Sequence, residues 1–74
     1  MKPFTVKTEV SGSVWKIEVQ VGDAVEADQA LVIVESMKME IPASAPLAGV
    51  VQQVLVREGE AVTEGQALVV IGLR

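Results

Sequence analysis

The 74-residue chain contains no cysteine, histidine, tyrosine or asparagine, and only one tryptophan and one phenylalanine. Without cysteine, no disulfide can brace so short a chain, and no thiolate is present for a Cys₄ or Cys₂His₂ zinc site. Without histidine or cysteine, the commonest general base and the Ser–His and Cys–His nucleophile pairs are missing. No long hydrophobic run exists: the longest, 30–34 and 67–72, are far too short to cross a bilayer. Residues 1–7 lack the apolar core of a signal peptide. The six basic residues, Lys2, Lys7, Lys16, Lys38, Arg57 and Arg74, are scattered against ten acidic ones, which removes the clustered basic face that nucleic acid requires. The expectation is one soluble, cytoplasmic domain over residues 1–74, contacting neither nucleic acid nor membrane.

What is present is aliphatic. Half of the residues are hydrophobic, and most of that half is Val, Ala, Leu and Ile. β-Branched enrichment with so few aromatics points to strands closing on a thin core. The chain also repeats. Shifted by 37 residues, Gly12, Val14, Val19, Gly22, Ala24, Val25, Gln29, Ala30, Leu31 and Val32 each meet an identical residue. Ten identities in the 23 positions 12–34 are too many for chance, so two structurally equivalent halves are expected. Two copies are too few for a solenoid, and a closed pseudo-twofold unit follows instead.

Each half carries the same strand and turn signals. Val14-x-x-Ile17-x-Val19-x-Val21 and Val50-Val51-x-x-Val54-x-Val56 read as half-buried strands. Gly22-Asp23 and Gly59-Glu60 mark turns, a short Ala-Val step follows, and a continuous apolar strand closes each half. No segment sustains a helical period, and Pro3, Pro42 and Pro46 interrupt the chain. The fold class predicted is all-β, with strands near 4–9, 12–21, 30–35, 39–44, 49–56 and 67–73. These form two small antiparallel sheets packed as a flattened barrel, or barrel-sandwich.

The seam between the halves reads Glu35-Ser36-Met37-Lys38-Met39-Glu40. A two-residue hairpin would place Met37 and Lys38 at its tip, where both central residues need positive φ. Neither residue is cheap there, and such strain is tolerated more readily at working sites. A lysine on a hairpin tip is most often a solvated charge, and a methionine beside a strand most often fills a core gap. Here the amine stands on a rigid stalk, above a scaffold with no pocket-lining acids, bases or nucleophiles. That suits covalent carriage better than catalysis.

With Glu35-Ser36-Met37-Lys38-Met39-Glu40, Ala45-Pro46-x-Ala48-Gly49-Val50-Val51 and Glu58-Gly59-x-x-Val62, nearly the whole chain resembles the biotinyl domain of biotin carboxyl carrier proteins. The resemblance implies a pseudo-twofold flattened barrel and a non-catalytic carrier. Lys38 would be acylated with biotin by a biotin protein ligase, and Met37 and Met39 would flank it for recognition. The biotinylated lysine would then shuttle activated carboxylate from a biotin carboxylase to a carboxyltransferase, with an acyl-CoA of fatty acid metabolism as the expected acceptor. Glu35 and Glu40 read as hairpin-flanking charges, and Trp15 as a packed or half-exposed aromatic.

Three departures from the family pattern stand out. Position 36 is Ser where the familiar form has Ala. Glu9-Val10-Ser11-Gly12 replaces a Met-Pro-Gly-type turn. Nothing is inserted between Gly22 and Leu31, so the thumb of some bacterial relatives is absent. Two rival readings fit the same residues. Lipoyl domains share the fold, with a lysine usually flanked by Asp and Ala, and a lipoyl or dual carrier is compatible with Glu35. Barrel-sandwich domains also serve as unmodified structural modules.

Overall fold

Short runs of Val, Ile and Leu, broken by glycine and acidic turns, give eight strands in the computed structural model, which describes residues 2–73. They are β1 (Lys2–Lys7), β2 (Gly12–Ile17), β3 (Ala24–Val25), β4 (Ala30–Ser36), β5 (Met39–Ser44), β6 (Gly49–Val54), β7 (Ala61–Val62) and β8 (Ala67–Leu73). Two four-stranded sheets result, ordered β1-β8-β6-β3 and β5-β4-β2-β7. All pairings are antiparallel. The predicted all-β, two-sheet class therefore holds. Pro3 and Pro42 both lie on edge strands, where a missing ladder N–H does least harm.

The 37-residue period governs the whole fold. Adding 37 carries β1 onto β5, β2 onto β6, β3 onto β7 and β4 onto β8, end for end. The turns obey it as well. The Asp28 N–H donates to the Ala45 carbonyl at 2.7 Å, and the Gly65 N–H to the Thr8 carbonyl at 2.8 Å. The Gln20 N–H is capped by Asp23 Oδ2 at 2.9 Å, and the Arg57 N–H by Glu60 Oε1 at 3.0 Å.

Three expectations need correction. The strands predicted over 12–21 and 49–56 end at Ile17 and Val54. Beyond Ile17 the Glu18 N–H still reaches the Leu31 carbonyl at 2.9 Å, but the side chain of Asp23 then captures the Gln20 N–H and turns the chain away. The first strand begins at Lys2 and stops at Lys7, because Thr8 turns inward. Its buried Oγ1 donates to the Val10 carbonyl at 2.7 Å and accepts from the Val10 N–H at 3.2 Å. The Ala-Val steps are strands in their own right, β3 and β7, each closing one edge of a sheet.

Between the sheets lies the core, led by Leu31, Leu68 and Ile71, which are fully buried along with Val14, Val32, Val34, Val51 and Val69. Full burial of such a side chain is worth about 1.5–3 kcal/mol. Within each half, one strand crosses another with backbone against backbone. A Cβ on Gly12 would meet the Glu35 carbonyl oxygen, and one on Gly49 the Gly72 carbonyl oxygen. Gly12 therefore lets the start of β2 pass directly against the end of β4, the strand that leads to residues 37 and 38.

Candidate functional site

Strands β4 and β5 form a hairpin whose last pairs are Glu35 with Glu40 and Ser36 with Met39. Only Met37 and Lys38 remain for the turn. Their φ angles are 52° and 65°, both in the left-handed region, as a type I′ connection demands. The turn is selected by the ladder, since the right-handed twist of two strands joined by two residues fits that geometry and not types I or II. Left-handed backbone costs an ordinary L-residue about 1–2 kcal/mol, and here two adjacent residues adopt it. The expected strain at the tip is present.

Met37 is 93% exposed and Met39 64%, so neither fills the core. Lys38 is exposed too. The ion pair found among the described residues is between Lys16 Nζ and Glu18 Oε1 at 3.4 Å, and Lys38 takes no part in it. A primary amine is thus held in water at the end of a hydrogen-bonded ladder, with a thioether on either side.

What can this arrangement hold? No group of three or more carboxylate, imidazole or thiolate ligands comes together among the described residues. A cleft of about 210 Å³ is lined by Thr8, Glu9, Ile41, Pro42, Ala43 and Ser44, at the end of β5 away from the turn. That is below the usual range for a small-molecule site. The donor set at the tip fits a group joined by an amide to Nζ, and it offers nothing that would grip such a group non-covalently.

The structure brings Met37, Lys38 and Met39 together as the sequence predicted. It adds a neighbour that the sequence left without a role. In β2, Val14 pairs with Val34 but Lys16 pairs with Ile33, so Trp15 is the extra residue of a β-bulge. Bulges re-aim side chains, and Trp15 stands 49% exposed on the outer face of the hairpin-bearing sheet. The signal was in the sequence. Val14-x-x-Ile17 and Val51-x-x-Val54 break a two-residue alternation at the same point, and β6 bulges at Gln52 in the same way.

Comparisons with known proteins agree with this geometry. The model of a family described as "Biotin-requiring enzyme" matches residues 3–71. The biotin/lipoyl attachment protein of Bacillus subtilis (strain 168) is 45% identical over 49 residues, which are 66% of this chain and 67% of that protein. Pyruvate carboxylase of Staphylococcus aureus (strain Mu50 / ATCC 700699) is 42% identical over 50 residues, 68% of this chain but 4% of the carboxylase. Among solved structures, the urea carboxylase of Kluyveromyces lactis superposes with a TM-score of 0.92 at 33% identity, over 97% of this chain and 6% of the other. A single-chain, multi-domain long-chain acyl-CoA carboxylase gives 0.92 at 29% identity, over 97% and 7%. The chain thus spans two thirds of the small relative and a small fraction of the large ones. With its two pseudo-symmetric sheets and its hairpin lysine, the chain is a biotinyl domain of the carboxyl-carrier type and belongs to the biotin/lipoyl attachment family.

Proposed function

We propose that Lys38 is the biotin attachment residue and that the domain is the non-catalytic carrier of a biotin-dependent carboxylase. The observation that carries this reading is the exposed amine on a two-residue left-handed turn. For attachment, Lys38 Nζ gives up a proton to a base of the biotin protein ligase and attacks the acyl carbon of biotinyl-adenylate. The amide C–N bond forms, the acyl–phosphate bond breaks, and AMP leaves with the bonding electrons. The ammonium charge is lost in the process. Once attached, biotin supplies a ureido nitrogen that accepts and releases carboxylate, chemistry that belongs to the cofactor.

The chain's own residues supply presentation. The β4–β5 ladder holds the attachment point clear of the barrel, and tethering raises the local concentration at both partner sites without new contacts. Met37 and Met39 offer soft, adaptable apolar surface on either side, suited to recognition by more than one enzyme. The partners are the ligase, a biotin carboxylase and a carboxyltransferase. We take the acceptor to be an acyl-CoA, in line with the acyl-CoA carboxylase among the structural relatives. Relatives named for urea and pyruvate carboxylation support the carrier role in general.

Intact-mass spectrometry after co-expression with a biotin ligase tests the assignment. The wild-type chain gains one biotinyl amide and binds avidin, and Lys38→Arg gains none while folding normally. Equal avidin signals for the two, or a lipoyl mass at Lys38 in protein from its natural host, would overturn it.

A further inference from the structure

The pseudo-twofold provides an internal control for the strand residues, because each strand position has a counterpart in the same backbone setting on the other sheet. Trp15 corresponds to Gln52, Glu35 to Gly72 and Glu40 to Pro3. The second sheet builds the same bulge without an indole, and the same strand pairing without a carboxylate. None of the three side chains is therefore required by the fold.

All three lie on one surface, the outer face of the hairpin-bearing sheet. Register places Glu35 directly opposite Glu40, one pair below Ser36 and Met39. Both are exposed, and neither makes an ion pair among the described residues. Like charges directly opposed across an antiparallel pair are destabilising, so the isolated domain bears a cost that its other sheet avoids. About 7 Å farther along the strands runs a row that is apolar apart from Lys16, whose ammonium pairs with Glu18. The Trp15–Lys16 bulge is opposite Ile33, and Ile33 is opposite Pro42. A half-exposed tryptophan beside an aliphatic row, with two carboxylates toward the turn, has the make-up of a binding hot spot with a charged edge.

We propose that this face is the surface on which the biotin protein ligase docks, with an apolar pocket for Trp15 and a basic side chain spanning Glu35 and Glu40. The inference rests on Lys38 being the biotinylated residue. Its choice of partner follows from reach. A ligase must bring its reacting atoms within about 3–3.5 Å of Lys38 Nζ, so the strands directly beneath the turn are covered in the same complex. An arginine on the ligase satisfies both carboxylates at once and relieves the repulsion between them.

Initial rates of biotin incorporation into the apo domain by a purified biotin protein ligase test the proposal. Trp15→Gln, which installs the residue of the symmetry-related position, should raise KM about tenfold with kcat little changed, and Trp15→Phe should recover most of the loss. The double variant Glu35→Gln/Glu40→Gln should raise KM and flatten its dependence on salt. Val21→Glu, in the exposed turn that leads into β3 of the opposite sheet and equivalent to Glu58, should leave KM as it is. If Trp15→Gln and the double variant stay within twofold of wild type while Lys38→Arg accepts no biotin, the docking face is wrong and the attachment site stands. If wild type itself accepts none, the attachment reading fails first. A KM rise confined to variants with a collapsed melting temperature overturns the proposal, as does normal biotinylation with loss of transfer only at a biotin carboxylase.

Discussion

Met37 and Lys38 hold a conformation that neither prefers, because two strands in register leave room for nothing else between Ser36 and Met39. The lysine is required by its amine. The methionine at the first turn position is a choice against stability, since Asn is the favoured residue there. Met37→Asn is therefore expected to stabilise the domain by about 0.5–1 kcal/mol, read as a higher urea midpoint with an unchanged slope. A midpoint that falls would mean that Met37 packs in a way its 93% exposure does not show. Asp28, with φ of 68°, stands where the second half has Gly65, so the halves meet the same backbone demand with different residues. At the hairpin the need for positive φ was legible in the sequence, from the count of residues between the arms. At Asp28 it was not, because an aspartate in a polar turn has many other uses.

At the scale of elements, the strands follow from alternation only where pairing is regular. The bulges at Trp15 and Gln52 put two consecutive residues on the outer face, which lets Val14 and Ile17 both point inward. A two-residue period cannot represent that, and it is equally blind to the Asp23 side chain that captures the Gln20 N–H and ends the strand's course. The glycines at the crossing differ from those in turns. Gly22 has φ of 97° with open space around it, whereas a Cβ on Gly12 would meet backbone atoms of Glu35. Gly22→Ala is expected to cost about 1 kcal/mol, and Gly12→Ala about 2–3 kcal/mol with a distorted hairpin base. Chemical denaturation gives both values. Equal costs would show that the crossing can spread, and would remove the case for Gly12 as a steric requirement.

For the molecule as a whole, the twofold makes energetic predictions in pairs. Leu31 and Leu68 are both fully buried at equivalent positions. Leu31→Ala and Leu68→Ala should each cost about 2–5 kcal/mol and agree to within about 1 kcal/mol. The stability expected of a domain this size is about 4–11 kcal/mol, so each single variant is marginal and the double variant unfolded, as thermal melts followed by circular dichroism would report. Costs that differ widely would mean that the halves share a backbone but not a packing. The twofold also exceeds what sequence comparison shows. Residues 2–7 and 39–44 share no identity, yet they form β1 and β5 with matching registers and matching bulges near their ends. Edge strands answer mainly to the neighbour that pairs with them, and either sequence satisfies it.

Alternation, composition and the 37-residue repeat were enough to determine the fold class, the two equivalent halves and the position of Lys38 at the seam. Those properties are local or periodic, and a one-dimensional pattern can carry them. The tertiary structure alone decided which residues share a face. The bulge turned Trp15 outward, the register set Glu35 against Glu40, and the twofold supplied for each a counterpart without the same chemistry. Residues 15, 35 and 40 are brought to one surface by pairing between strands, and pairing depends on contacts between residues far apart in the chain.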